Sequence, residues 1–475
     1  MTDSKAGLRR SLGFWTACAV VVGTVIGSGI FLVPSDMIRA VGSPGMVFVV
    51  WVFGGILTMF GALSYAELSA AMPEAGGEYV YLTAAYGPLS GFLLGWTYTA
   101  VGFTASIAAK GAALYTYLGD FFPGLNRVVF MLAVPIGPHG GPIEIRVGQV
   151  LGIAVIFGLA SVNYVGVRAG GGVQVFTTTL KVLLIGGIIV VGLASGQGNS
   201  ANLHSVMPTS PGGVAGFFAA LVAALWAYDG WNYAGMIGGE VERPGRTLPR
   251  VLILGTGAVI GIYLLTNLAY FYLLSGVEVG SSPRVAADAM RKAVGSSGGA
   301  IVSIAAIISI FASLNGSFLA GTRVPYAMAR RGYFFAAMGR VHPKFHTPGA
   351  SVILFAVWSS MLLLSGRFED LYRMVIFTEW IFYGMTAAAV LVLRRKHPEM
   401  NRPYRVLGYP LVPILFVLVS VALLYSTLMT SPRESGIGLA LIVAGLPFYY
   451  HWKGTAKRTQ QDAGTAGPGG VPPGA

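Results

Sequence analysis

Apolar runs of membrane-spanning length recur from near residue 13 to near residue 452 of this 475-residue chain. A helix needs about 20 residues to cross the hydrocarbon core, and this length predicts about twelve spans. Because the runs are long and continuous rather than short and alternating, a β-barrel is disfavoured and an all-α polytopic membrane protein is predicted. The expected spans are 13–40, 44–71, 87–119, 147–165, 172–195, 214–238, 249–275, 298–326, 349–365, 372–393, 410–429 and 435–452.

The composition agrees with this class of protein. Charged residues make up only 10% of the chain, whereas ordinary soluble domains have roughly a quarter. The net charge of +13 is attributed to cytoplasmic loops, which hold topology through Lys and Arg. No basic helix or aromatic-basic cluster indicates nucleic-acid binding. The only cysteine, Cys18, excludes an intrachain disulfide.

The distribution of positive charge predicts the topology. "MTDSKAGLRR" begins like a signal peptide, but the apolar segment after it lacks a cleavage site and is expected to remain as the first span. "RRG" at Arg330 and "LRRKHPEMNRPYRV" from Leu393 place their loops inside, so both termini are expected in the cytoplasm. The expected parts of the chain are a cytoplasmic segment 1–12, a transport core 13–395, two further spans in 396–452 and a disordered cytoplasmic tail 453–475.

The first span contains an unusual concentration of glycine. "GTVIGSGIF", Gly23 to Phe31, places three glycines where a membrane helix is normally most regular, and each glycine costs a helix roughly 1 kcal/mol relative to Ala. Gly23 and Gly27 alone fit a smooth helix-packing groove. The run Gly27-Ser28-Gly29 favours local unwinding instead, which exposes amide groups to an anion.

A second interruption is expected in the sixth span. "LWAYDGWNYAG", Leu225 to Gly235, contains Asp229 in the middle of an apolar run. A carboxylate at membrane depth is expensive and indicates a functional site. Asp229-Gly230 is also a strong helix-breaking pair.

The two interruptions occupy matching positions in spans one and six. Paired interrupted spans are the best sequence indication of a secondary transporter built from inverted repeats. Helix N-termini attract a carboxylate, and unwound carbonyls hold a cation. Because an α-amino acid carries both charges, the pattern predicts an amino-acid site.

The ordered motifs resemble the amino acid–polyamine–organocation superfamily, specifically its L-type amino acid transporter branch. They are "GTVIGSGIF", "SYAELSAAMPEAGGEYVYL", "FTTTLKVL", "WAYDGWNYAGMIGGEVERPGRTLPR", "SLNGSFLAGTRVPYAMARRGYFF" and "SGIGLALIVAGLPFYY". The resemblance covers nearly the whole chain. It implies a five-plus-five inverted repeat of the LeuT type, with discontinuous spans one and six and two extra helices.

The same resemblance implies roles for individual residues. Gly27, Ser28 and Gly29 would offer amides to the substrate carboxylate, and Val25 would offer its carbonyl to the α-ammonium. In span six, Trp226, Ala227 and Asp229 fall at or beside the other half of the site. Trp226 occupies the family's aromatic-gate position, with an ordinary buried aromatic as the alternative.

Lys181 lies about ten residues from either end of span five, too deep to reach the interface easily. The resemblance implies that its ammonium occupies the place of a sodium ion in sodium-coupled relatives of the fold and ties span five to the break in span one. A helix-end position with misplaced boundaries is the alternative. A buried lysine can also exchange protons, which leaves proton coupling open.

Further polar residues lie within predicted spans. Glu379 and Trp380 are expected near a distal pocket, where Glu379 would sense a cationic side chain, pair with a lysine or accept a proton. Asn315 is expected either as a packing residue or as a neighbour of the site. Lys110 is expected to be structural, and Glu67 to be a gate or loop contact.

The predicted function is sodium-independent L-amino acid exchange by alternating access, with neutral substrates favoured. Proton-coupled symport and carriage of cationic amino acids are the alternatives. The expected partners are amino acids and the lipid bilayer, with no cofactor, no metal and no nucleic acid. Animal relatives pair with a glycoprotein through a disulfide in the loop between spans three and four. That loop lacks cysteine here, so a stand-alone bacterial carrier in the cytoplasmic membrane, without a disulfide-linked heavy chain, is expected.

Three other classes of protein are less consistent with the sequence. A channel needs repeated filter residues, and none is visible. A membrane enzyme needs a catalytic cluster, but the histidines fall in predicted loops or at span ends. A sensor that binds amino acids without moving them is separated from a carrier only by a transport measurement.

Overall fold

The computed structural model describes residues 8–119, 121–132, 143–208, 210–365 and 368–465. Apolar helices dominate these ranges, because in lipid a helix satisfies its backbone hydrogen bonds within one segment. The predicted all-α polytopic fold is confirmed.

The region of the first six expected spans contains ten α-helices, nine of them within the spans. Span one contains α1 and α2, and span three contains α5, a π-helical turn at Tyr98–Gly102 and α6. Span six contains α9 and α10, and α4 is a short helix between spans two and three. The bounds are α1 Phe14–Val25, α2 Gly29–Val41, α3 Pro44–Ala71, α4 Glu78–Tyr86, α5 Pro88–Thr97, α6 Phe103–Leu118, α7 Val147–Val165, α8 Val167–Ala194, α9 Gly213–Tyr228 and α10 Tyr233–Met236.

The remaining expected spans are α11, α14, α16, α17, α18 and α19, with α12, α13 and α15 as shorter helices between or after them. The bounds are α11 Pro244–Leu273, α12 Gly276–Ser281, α13 Val285–Val294, α14 Ser296–Gly321, α15 Arg323–Arg330, α16 Gly349–Ser365, α17 Phe368–Lys396, α18 Leu411–Thr430 and α19 Pro432–Thr465.

Within the described ranges, nine segments are long and apolar enough to cross a membrane, and two shorter apolar helices lie at Gly213–Tyr228 and Gly349–Leu364. Corresponding spans of the two halves pack on each other, α3 against α11 and α6 against α14. This pairing of spans two with seven and three with eight agrees with a five-plus-five inverted repeat.

Two segments differ from the sequence expectation. The loop between spans three and four contains an antiparallel hairpin, β1 Val128–Leu132 paired with β2 Ile143–Arg146. The last helix continues to Thr465, although disorder was expected from residue 453. Ala, Lys, Arg and Gln in this stretch are good helix formers, and the expected disorder of 466–475 lies outside the described residues.

Candidate functional site

The first span is interrupted at its centre. Helix α1 ends at Val25 and α2 begins at Gly29, so residues 26–28 connect the two halves without helical structure. The interruption frees carbonyls at the end of α1 and amides in the first turn of α2. All nine residues from Gly23 to Phe31 are buried, so these groups need partners inside the protein.

Lys181 supplies two of the hydrogen bonds that the break requires and a third to span eight. Its ammonium is fully buried and donates to the carbonyl oxygens of Gly23 (2.6 Å), Ile26 and Ser309 (3.1 Å). The Ser309 hydroxyl lies 2.9 Å from the Ile26 oxygen and 3.4 Å from that of Gly27. Side chains from spans five and eight therefore hold the end of α1. The role of Lys181 in place of sodium remains a prediction.

Two more side chains satisfy the intervening carbonyls. Ser313 Oγ donates to the Thr24 oxygen at 2.6 Å. The hydroxyl of Tyr263 lies 2.8 Å from the Val25 oxygen and 2.7 Å from the Ala227 oxygen. Tyr263 thus joins the broken part of span one to the broken part of span six. The polar positions in spans seven and eight were visible in the sequence, but their partners were not.

The sixth span is interrupted where Asp229-Gly230 predicted. Helix α9 ends at Tyr228, and the short α10 begins at Tyr233. Gly230 adopts a φ of 102°, a conformation that residues with a Cβ rarely adopt. Asp229 lies in extended backbone directly after α9, so its carboxylate projects from the broken end.

The two breaks meet at van der Waals distance. A Cβ placed on Gly29 would lie 2.6 Å from the Ala227 Cα and 2.7 Å from its Cβ. Gly29 is therefore required by the close approach of α9 to the start of α2. This contact brings amides at the start of α2 next to carbonyls at the end of α9.

A small cavity lies at this junction, with room for about one water molecule. Most of the residues predicted for substrate binding line it, and Ala227 closes it through its contact with Gly29. Lys181, Asn315, Glu379 and Trp380 are not among its lining residues. The lining comprises Thr24, Val25, Gly27, Ser28, Gly29, Lys110, Trp226, Asp229 and Ser313.

Lys110 lines the cavity, although it was expected to be structural. Its ammonium is 4% exposed, donates to Ser317 Oγ at 2.8 Å and lies 6.0 Å from the centre of the Tyr233 ring. A lysine in the middle of a span was the available sequence signal. Lys110 faces Asp229 across the cavity because of the rotation of α6 about its axis. The sequence does not give that rotation.

A hydrogen-bonded acidic cluster extends from the cavity wall. Tyr383 Oη lies 2.9 Å from Asp229 Oδ1 and 3.1 Å from Glu379 Oε2. Asn232 Nδ2 donates to Glu78 Oε1 at 2.9 Å, and its oxygen lies 3.5 Å from the Tyr383 hydroxyl. Glu379 therefore lies behind Asp229 rather than on the cavity surface.

Glu78 belongs to α4, which precedes the third span. Burial raises the pKa of its carboxyl to about 7, against the opposing effect of hydrogen bonds from Tyr65, Tyr98 and Asn232. Burial therefore makes the charged form of Glu78 less stable than that of an exposed carboxyl.

Asn315 and Trp380 make contacts typical of helix packing. Asn315 Nδ2 donates to the oxygens of Gly170 and Gln174, and Asn315 Oδ1 accepts from Asn163. Trp380 stacks on Phe416 with ring centres 5.4 Å apart. The contacts of Asn315 match the packing alternative, and the distal-pocket role of Trp380 remains a prediction.

Glu67 was expected to be a gate or loop contact. It accepts hydrogen bonds from Arg394 and from the amide of Val406. These partners lie at the end of span ten and in the loop after it, so the contact joins span two to that loop. Among the residues that the structure describes, no group of three or more His, Cys, Asp or Glu is placed to hold a metal ion.

Two interrupted helices that meet inside a bundle of apolar helices are typical of membrane carriers. A family model for amino acid permeases matches residues 12–449. The chain belongs to this family, which confirms the resemblance to the amino acid–polyamine–organocation superfamily and its L-type branch.

Individual relatives are similar over nearly the whole chain. The serine/threonine exchanger SteT of Bacillus subtilis (strain 168) is 35% identical over 452 residues, covering 94% of this chain and 98% of that protein. The human cystine/glutamate transporter is 30% identical, covering 94% and 86%. The mouse Asc-type amino acid transporter 1 is 30% identical, covering 94% and 82%.

Proposed function

We propose that this protein is a sodium-independent exchanger of neutral L-amino acids that works by alternating access. The observation that carries the proposal is the junction of the two broken helices. It combines the free amides of a helix start with the carbonyls of two helix ends in one cavity. An amino-acid zwitterion has a carboxylate that the amides bind and an ammonium that the carbonyls bind. The exchangers and transporters among its relatives support this activity.

In this proposal the amides of Gly27, Ser28 and Gly29 bind the substrate carboxylate. The Val25 carbonyl accepts from the α-ammonium while it also faces Tyr263, since a carbonyl oxygen has two lone pairs. Trp226 covers the cavity, so its movement admits or releases substrate.

The geometry around Lys181 supports independence from sodium. Its ammonium donates to three backbone carbonyls, and backbone carbonyls are ligands that a bound cation would otherwise require. A covalently attached lysine stays at this place in every state of the carrier, and its protonated form supplies that positive charge. Sodium would therefore have no vacant site to fill at this place.

A carrier of cationic amino acids is the second candidate. Asp229 lines the cavity, and its Oδ2 is buried without a hydrogen-bond partner among the described residues. A charge-assisted hydrogen bond from a lysine or arginine side chain would satisfy that oxygen. Lys110, on the same cavity, opposes this by like-charge repulsion.

The proposed setting is a bacterial cytoplasmic membrane with both termini inside, as the positive charges of the loops predict. We also propose that the carrier works alone, without a disulfide-linked heavy chain. The loop that holds the linking cysteine in animal relatives has none in this sequence. No catalytic step is assigned to the protein.

The test is uptake of radiolabelled serine, alanine, leucine and arginine into proteoliposomes in sodium-free buffer. Each substrate is measured with and without unlabelled amino acid inside the vesicles. We expect uptake of the neutral substrates only when amino acid is present inside, with no stimulation by sodium. Uptake into empty vesicles at the same rate would contradict exchange, and a preference for arginine would favour the second candidate.

A further inference from the structure

The hydroxyl of Tyr383 faces more acceptors than it can serve. It lies within hydrogen-bond distance of one oxygen each from Asp229 and Glu379. The side-chain oxygen of Asn232 lies slightly further away, because its amide nitrogen is directed at Glu78. A phenol has one proton and donates one hydrogen bond.

The number of protons on Tyr383, Asp229 and Glu379 determines how many hydrogen bonds these groups can form. If the Tyr383 hydroxyl donates to one of the two carboxyl groups, the other carboxyl group can form a hydrogen bond only by donating its own proton to the phenol oxygen. An ionised carboxylate has no proton to donate. One of the two acids must therefore be protonated for both short contacts to be hydrogen bonds, as in carboxylate pairs that share a single proton.

The groups around Asp229 and Glu379 also favour one shared proton on these two acids. Asp229 is 6% exposed and Glu379 is 1% exposed. The groups facing the pair are Lys110 from α6, Glu78 from α4, Tyr98 from the π-helical turn and Tyr233 from α10. One ammonium against three carboxylates would leave two negative charges uncompensated in a water-poor site, which is strongly unfavourable.

We propose that Asp229 and Glu379 share one proton through Tyr383, and that the carrier requires this proton to transport a neutral amino acid. The inference rests on the proposed function. It assigns a second ligand, a proton, to the acidic cluster beside the substrate cavity. In the protonated cluster one carboxyl O–H donates to Tyr383 Oη, and the Tyr383 O–H donates to the other carboxylate.

The requirement follows from the position of Asp229 on the cavity. When the cluster loses its proton, an additional negative charge faces the cavity, and a neutral side chain offers nothing to balance it. Lys110 is already hydrogen-bonded to Ser317 and compensates one carboxylate. The deprotonated cluster is therefore expected to block closure of the carrier around a neutral substrate.

The test is alanine exchange in proteoliposomes with equal pH on both sides, from about pH 5 to about pH 8. We expect the wild-type rate to fall about tenfold as the pH rises through this range. We expect Glu379→Gln, whose amide donates a hydrogen bond at every pH, to give a slower rate that changes less than about twofold. Asp229→Asn is the second variant, because it also replaces one of the two acids of the pair with an amide.

Glu78→Gln is the matched control, because it removes a buried acid of the same network outside the pair. We expect it to retain the steep wild-type profile. The proposal would be overturned by a flat wild-type profile or by a profile that Glu78→Gln flattens. A steep profile that neither Glu379→Gln nor Asp229→Asn flattens would also overturn it. Lys110 and Lys181 are unchanged in these variants, so a lysine titration would move the fall in rate along the pH scale without flattening it. Exchange that is absent at all pH values would instead reject the proposed function.

Discussion

Lys181 is the residue on which the break in span one depends most. Replacing it with alanine leaves the Gly23 carbonyl without its ammonium donor and the Ile26 carbonyl with only the Ser309 hydroxyl, and a buried unsatisfied group costs about 1–3 kcal/mol. We expect Lys181→Ala to insert in the membrane but to lose alanine exchange by at least about tenfold. Reconstituted exchange, normalised to the amount of monodisperse protein, measures this.

Thr178→Val is the control for Lys181. Thr178 lies on the same helix and also donates to span one, at the Ala19 oxygen (3.1 Å). That oxygen lies within the regular part of α1, where a helical amide already donates to it. We expect near-normal exchange from this variant. Equal loss in both variants would mean that any disturbance between these helices impairs the carrier.

Tyr263 joins the two breaks through a single hydroxyl. Tyr263→Phe removes the hydroxyl whose single proton faces the Val25 and Ala227 carbonyls while keeping the ring in place. We expect exchange to fall about tenfold, because a buried acceptor loses its partner at the substrate site. The rate at saturating and at low substrate separates weaker binding from slower movement.

Tyr270 offers the comparison for Tyr263. It lies on the same helix, is fully buried and has a hydroxyl without a hydrogen-bond partner in the described part of the chain. Tyr270→Phe should therefore change exchange by less than about twofold. A comparable loss from Tyr270→Phe would show that hydroxyls in this helix act through general packing.

At the scale of the helices, the contact between α2 and α9 leaves no room for a side chain. Gly29→Ala would place a methyl group 2.6 Å from the Ala227 Cα, so the two broken helices must move apart. We expect loss of exchange with folding retained. Gly45→Ala in α3 meets no atom within 4 Å and should be neutral or slightly stabilising. Full activity of Gly29→Ala would contradict the contact.

The sequence predicted the positions of the helices better than the contacts between them. Glycine spacing and Asp229-Gly230 were sufficient to locate both breaks, because backbone disruption is a local property. The partners of the breaks are not local: Ser313 is 289 residues from Thr24, and Tyr263 is 238 residues from Val25. Lys110 and Glu379 could not be placed relative to the cavity, since helix rotation decides which side of a helix faces it.

At the scale of the molecule, the central cavity has room for about one water molecule, and wider cavities lie elsewhere in the bundle. One of about 320 Å³ is lined in part by Leu32, Asp36 and Arg39. Another of about 320 Å³ is lined in part by Arg10 and Arg330. The central cavity is too small for an amino acid, so the helices around it must separate before a substrate enters the proposed site.

A buried ion pair lies at the end of the helix bundle where the N-terminal segment is located. Arg323 and Glu240 are 1% and 0% exposed, and the guanidinium donates to both carboxylate oxygens at 3.1–3.2 Å. The amides of Ser11 and Leu12 donate to the Glu240 carbonyl at 2.9 Å. The pair thus connects the start of span one, the loop after span six and the end of span eight.

This pair gives a prediction about the whole carrier. Arg323→Leu or Glu240→Leu leaves one buried charge unpaired, which typically costs about 3–5 kcal/mol, a large part of the stability of a typical folded protein. We expect each single variant to aggregate on mild heating in detergent. The double variant should recover much of the stability, because no unpaired charge remains. Size-exclusion chromatography after heating measures the surviving fraction, and a double variant no better than the singles would contradict this account.

The break in span one also has a consequence for biosynthesis. Its carbonyls accept from Lys181, which follows Gly23 by 158 residues, and from Ser309, which follows Ile26 by 283 residues. Chains are made from the N-terminus onward, so the first helix to leave the ribosome is among the last to be completed. Until span eight has been synthesised, the membrane-insertion machinery or water must stabilise an opened backbone that hydrocarbon alone does not tolerate.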